Sequence, residues 1–116
     1  MDLKRVAVTG LGTITPLGNT VGEFWANLIA GNSGANLITR FDATNFKTKF
    51  ACEVKNFDPL DYFDRKEARK IDTFAQFALI AADEAMKDSG LEPDKLDLDK
   101  AGVIFGSGIG GFNTVY

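Results

Sequence analysis

Between Ile71 and Met86 the sequence is apolar on nearly every side of a helical projection. Ile71, Phe74, Ala75, Phe77, Ala78, Leu79, Ile80, Ala81, Ala82, Ala85 and Met86 leave room for few polar positions. A helix of this kind has no natural water-facing side, so the fold must place it centrally and cover it with other elements. Its alanines permit neighbours to come close. Gly90 ends the segment as a left-handed cap, and Lys87 in the last turn suits the negative end of the helix dipole. An isolated chain of 116 residues, enough for one domain at most, would have trouble covering such a helix.

The flanking sequence indicates what surrounds it. Arg5 to Gly10 is a β-branched run ending at glycine, which predicts a buried strand. A Gly/Thr/Pro loop runs to Asn19, and Thr20 with Glu23 forms a capping-box pattern. Val21, Phe24, Trp25, Leu28 and Ile29 then lie on one helical face, with Gly31 as the stop. Residues 32–58 are irregular, except that Phe50, Cys52 and Val54 alternate as a short half-buried strand. Asp64 with Glu67 predicts a further helix start. After a charged connection from Leu91 to Lys100, Ala101 to Phe105 predicts a second buried strand running into the glycine loop Gly106-Ser107-Gly108-Ile109-Gly110-Gly111. Strands separated by helices imply an α/β fold of βαβ units on a largely parallel sheet. The sequence stops at Tyr116, just where the next element is due, and reads as cut.

Composition excludes several functions. A net charge of −3 argues against nucleic-acid partners, which require a basic excess. The absence of histidine removes Ser-His and Cys-His nucleophilic chemistry and His-ligated metal from these residues. One cysteine forms no internal disulfide. The longest apolar run, Phe77 to Ala82, is six residues, far below the ~20 of a membrane span. Thr9, Gly10, Gly12, Thr13, Thr15 and Pro16 break the start of any export signal. A cytoplasmic protein without membrane partners is expected.

Three features could carry chemistry. Gly106, Gly108 and Gly111 fit G-x-G-x-x-G after a strand, the pattern of a dinucleotide site or of a tight, closely packed turn. The earlier loop fits a nucleotide worse, because Thr15-Pro16 interrupts early helix geometry. Cys52 would need a cationic neighbour or helix N-terminus to act as a nucleophile; its place between Phe50 and Val54 favours a small buried hydrophobe. Arg65, Lys66, Arg69 and Lys70 would share one helical face. In an acidic chain they could dock an anionic partner, or form a solvated face balanced by Asp64, Glu67 and Asp72.

Four separated motifs together resemble the β-ketoacyl-acyl carrier protein synthases, and their order and spacing are most similar to the synthase II branch. They are Val6 to Gly12 followed by Pro16-Leu17-Gly18-Asn19, Thr48-Lys49-Phe50-Ala51, the basic stretch Arg65 to Asp72, and Gly106 to Gly111. The resemblance implies a thiolase-like fold, five-layered and duplicated in the complete homodimeric protein. Residues 1–116 would supply the opening part of the first half, an incomplete domain. It also implies fatty acyl elongation by decarboxylative Claisen condensation of an acyl-enzyme with malonyl-acyl carrier protein. The family's nucleophilic Cys and its two His residues are not in this chain, and Cys52 does not match the nucleophile, so no catalytic residue is expected here. Substrates would ride on the carrier's phosphopantetheine, with no resident cofactor or metal.

The roles that the resemblance carries onto this chain are two. Arg65, Lys66, Arg69 and Lys70 belong to the patch that docks acidic helices of acyl carrier protein, which favours docking over the solvated face. Ile109, between Gly108 and Gly110, lines the acyl pocket near the dimer interface; an apolar side chain there suits a dry cavity for an alkyl chain. A non-catalytic relative of the chain-length-factor type is the alternative, followed by a dinucleotide-binding module on Gly106 to Gly111.

Overall fold

The computed structural model describes residues 3–111; positions 112–116, where the sequence leads towards a next element, lie outside the described residues. Helix α1 (Val21–Ile29) is followed by two short strands, β1 (Asn36–Leu37) and β2 (Phe50–Ala51). A basic turn of helix, α2 (Arg65–Ala68), then leads into the long helix α3 (Thr73–Ser89). Short 3-10 turns at Pro59–Asp61, Pro93–Lys95 and Leu98–Lys100 complete the regular structure.

The local signals act where the sequence places them. Thr20 Oγ1 accepts from the Glu23 N–H at 3.2 Å, while the Glu23 carboxylate accepts from the Asn19 N–H at 2.9 Å, one residue further back than a strict capping box. The Asp64 carboxylate accepts from the amides of Lys66 and Glu67 at 2.7 and 2.8 Å, satisfying two of the orphan donors that open α2. Gly90, at φ 65°, ends α3, and Lys87 pairs with Asp83 one turn earlier. Helix α3 starts after Asp72 rather than at Ile71, because Asp72 is extended.

What places these elements is long-range packing on α3. Gly10 lies against the backbone of Ala85 and Ser89, and Gly12 against that of Ala81 and Ala85, so closely that a Cβ at either glycine would overlap a helix carbonyl. Only a glycine strand crossing an alanine face permits this approach. Two carboxylates one helical turn apart on α3 then hold the segment. Asp88 accepts from the Leu11 N–H at 2.9 Å. Glu84 accepts from the Thr13 N–H through one oxygen and from the Val21 N–H through the other, both at 2.9 Å. The second bond places a carboxylate at the positive N-terminus of α1, where the helix dipole favours it. Thr15 and Gly18 exchange backbone hydrogen bonds at 2.9 and 3.2 Å across Pro16-Leu17, a tight turn that no helix N-terminus could share.

Several expectations need correction. No parallel sheet forms among the described residues: the sheet present is the antiparallel pair β1–β2, with Asn36 opposite Ala51 and Leu37 opposite Phe50. Residues 5–10 and 101–105 form no strand, because a strand requires backbone hydrogen bonds to a neighbouring strand and they make none among the described residues. Val103 and Phe105 instead face Gly12, Ala78, Leu79, Ala81 and Ala82 across a cleft of about 320 Å³. The strand near Cys52 is only two residues long and faces the other way from the expectation. Ala51 is half-covered, whereas Phe50 and Cys52 are exposed. With a ladder on one edge and no layer over that face, Cys52 has nothing to be buried against.

The apolar helix is central but incompletely covered. Ile80 (8% exposed) and Gln76 (3%) are its buried residues, and Leu79 is half open. Val6, Val8, Val103 and Ile104 are all largely exposed, Ile104 fully so. The Cα radius of gyration is 17.4 Å, against about 13 Å for a compact domain of ~116 residues. Among the described residues no helix is long and apolar enough to cross a membrane.

Candidate functional site

The basic stretch is built from the junction of α2 and α3. Asp64 opens α2, Arg65 and Lys66 occupy its first turn, and Arg69 caps it. Lys70 closes a tighter turn by donating its N–H to the Glu67 carbonyl at 2.8 Å. The helical face expected for the four cations is therefore one turn of helix continued by a tight turn. All four side chains are exposed. The salt bridges among the described residues join Lys87 to Asp83, Lys95 to Glu92 and Lys100 to Asp97, and none of them neutralises the basic patch. Glu67, on the same helix, makes no ion pair with it among the described residues.

The junction is held from within by a residue that the sequence reading passed over. Gln76 Nε2 donates to the Ala68 carbonyl at 3.0 Å and to the Ile71 carbonyl at 3.1 Å. Both carbonyls belong to the turn that carries Arg69 and Lys70. The available signal was a lone amide inside the apolar run from Ile71 to Met86, since a polar residue in a core position is kept where it has backbone to satisfy.

The glycine loop comes to the same end of α3. Ser107, Ile109, Gly110 and Gly111 border a cleft of about 240 Å³ with Asp72, Thr73 and Phe74. Gly110 has φ 39° and stands against the Phe74 ring, where an added Cβ would lie 3.1 Å from Cζ. Its backbone conformation and the ring both favour glycine. Ile109 is 79% exposed, and Gly108 has open space around it. The structure thus brings the glycine loop to the first turn of α3, directly after the basic turn. Cys52 is not part of this cluster. The dinucleotide expectation requires a helix opening out of the glycine loop; among the described residues the loop instead turns back onto Phe74.

Elsewhere, the carboxylate of Glu53 is held below the usual range. The Thr39 hydroxyl, which donates to it at 2.7 Å, is the main cause; burial opposes it as the next largest effect, and the amides of Thr39 and Arg40 and the Arg40 charge add to the lowering. Asp42 is lowered in the same direction by the hydroxyl and amide of Thr44. Asp42 lies in the β1–β2 connection and Glu53 just after β2.

Comparison with known proteins bears on the whole chain. The family model described as "Beta-ketoacyl synthase, N-terminal domain" matches residues 3–116. The chain is 50% identical over 111 residues to the 3-oxoacyl-[acyl-carrier-protein] synthase 2 of Coxiella burnetii, covering 96% of this chain and 27% of that protein. It is 45% identical over 115 residues to the protein of the same name in Synechocystis, covering 99% and 28%. A solved structure described as "The ishigamide ketosynthase/chain length factor" superposes with a TM-score of 0.67 at 40% identity, over 77% of this chain and 22% of the other. The chain therefore spans about a quarter of the length of the curated relatives it matches.

Proposed function

The chain belongs to the beta-ketoacyl synthase family, as its N-terminal domain, and we propose that it is the carrier-docking and acyl-pocket portion of a cytoplasmic 3-oxoacyl-acyl carrier protein synthase II. Its fold class is the thiolase-like α/β fold of that family, of which it is a small part. In the complete, homodimeric protein the reaction would join an enzyme-bound acyl group to the carbanion released by decarboxylation of malonyl-acyl carrier protein. The reacting Cys and His groups would come from outside these residues. Substrates would arrive on phosphopantetheine, with no cofactor resident in this portion.

The observation that carries the docking role is the exposed cluster Arg65, Lys66, Arg69 and Lys70, in no ion pair among the described residues of a chain whose net charge is −3. Concentrated positive charge on an acidic background attracts and orients an acidic partner. Ile109 would line the acyl pocket, with Gly108 and Gly110 leaving it space, and the cleft between this loop and Phe74 supports that reading. A non-catalytic chain-length-factor relative is the second reading, favoured by the likeness to a structure whose description includes that term. Condensing activity, measured in the complete protein, would exclude it.

The docking role is tested by reversing charge at Lys66 and Arg69 in the complete protein. The expected result is a KM for acyl-carrier substrates raised about tenfold at low salt and less at high salt, with small acyl thioesters unaffected. An equal loss with small thioesters would remove the docking role.

A further inference from the structure

The docking turn is too short to hold itself in place. Helix α2 has four residues, and a single helical turn is unstable by itself because nucleation costs more than one turn of hydrogen bonds returns. Its four cations are close neighbours of like sign, which disfavours the turn further. Asp64 secures its start. Its end would leave carbonyls without partners, and there the structure supplies a single side chain. The two N–H groups of the Gln76 amide reach the Ala68 and Ile71 carbonyls, at 3.0 and 3.1 Å, on either side of Arg69 and Lys70. Gln76 is 3% exposed on the rigid helix α3, and its own backbone N–H donates to the Asp72 carbonyl at 3.0 Å. The amide touches no charged head group of the patch. It fixes the backbone from which two of those head groups project.

We propose that Gln76 is a positioning residue for partner docking, pre-organising the basic turn so that Arg69 and Lys70 meet an acidic carrier surface without first being ordered. This inference rests on the docking role proposed above. Interaction energy otherwise spent on ordering the turn is retained as affinity. Because Gln76 adds no charge, its removal weakens docking without changing the number of charges that salt can screen.

The test compares Gln76→Met, which fills the same space without donors, with Lys66→Glu in the complete protein, using acyl-carrier and small acyl thioester substrates. For Gln76→Met the expected result is a KM for the acyl-carrier substrate raised about five- to tenfold, from two lost hydrogen bonds. The kcat and the small-thioester KM stay within about twofold, and the salt dependence of the carrier KM keeps its slope. Lys66→Glu raises the same KM but flattens that slope. Gln76→Asn retains the amide but is too short to span both carbonyls. It gives a smaller rise in the same direction, and it replaces the Met variant should that not fold. Equal losses on both substrates, no rise at all, or failure of both variants to fold would overturn the positioning role. If Lys66→Glu leaves the carrier KM unchanged, the docking role itself fails.

Discussion

Residues 10–21 and 101–105 make opposite use of the same helix. Both lie beside α3. In the first, the amides of Leu11, Thr13 and Val21 find carboxylates of Asp88 and Glu84, and Gly10 and Gly12 bring backbone against backbone. In the second, the backbone of residues 102–105 makes no hydrogen bond among the described residues, and Ile104 is fully exposed. The second segment is the more apolar of the two, yet it is the one left open. The difference is whether the helix offers the segment acceptors for its polar backbone. Apolar side chains alone do not draw an extended chain onto the helix; its amides must also be satisfied.

The largest effect expected from disturbing this contrast is at Gly12. Gly12→Val would drive a side chain into the backbone of Ala81 and Ala85, and should cost about 2–4 kcal/mol, read as a lowered urea midpoint of the complete protein. A change below ~0.5 kcal/mol, the level of an unconstrained surface site, would mean that the close crossing is not present. A smaller effect is expected at Glu84. Glu84→Ala leaves two amides without their acceptor and should cost about 1–3 kcal/mol. Amide hydrogen exchange would localise the damage: Thr13 and Val21 lose protection while residues 102–105 are unchanged. Equal loosening of both segments would show that Glu84 supports the helix generally.

The smallest effect concerns the neighbourhood of β1 and β2. Glu53 has a depressed pKa in the folded chain, chiefly through the Thr39 hydroxyl. Its contribution to folding is therefore present above the ordinary glutamate value and lost as pH falls through the lower, folded one. Thr39→Val should move the Glu53 titration, followed by carboxylate NMR, back up towards the ordinary value. The acid loosening of the β1–β2 connection should then start at higher pH. An unmoved titration would mean that the hydroxyl contact does not form in solution.

The parts of the fold legible in the sequence share one property: each depends on residues within a turn of one another. The Thr20 and Asp64 caps, the Gly90 stop and the Asp83–Lys87 pair are of this kind. So is the basic patch as a set of residues, since it is contiguous. The errors arose where a residue's environment comes from distant chain. The alternation around Cys52 predicts burial, yet alternation identifies two faces without saying which of them acquires a covering layer. The strands at residues 5–10 and 101–105 were read from β-branched content, but pairing belongs to two segments at once. Gln76 went unnoticed because nothing in its own neighbourhood shows that its amide closes the turn eight residues earlier.

The sequence by itself determined the caps at Thr20, Asp64 and Gly90, the charge and position of the basic turn, and the family to which the chain belongs. All of these follow from local hydrogen-bonding chemistry or from the order of short motifs. Tertiary structure alone decided that Glu84 and Asp88 serve amides 63 to 77 residues away. It also decided that Gly110 rests on Phe74 beside the basic turn, and that an amide on α3 holds that turn from beneath. The physical reason is that a lone carboxylate, amide or glycine has many compatible partners in a sequence, and only the packed chain selects one.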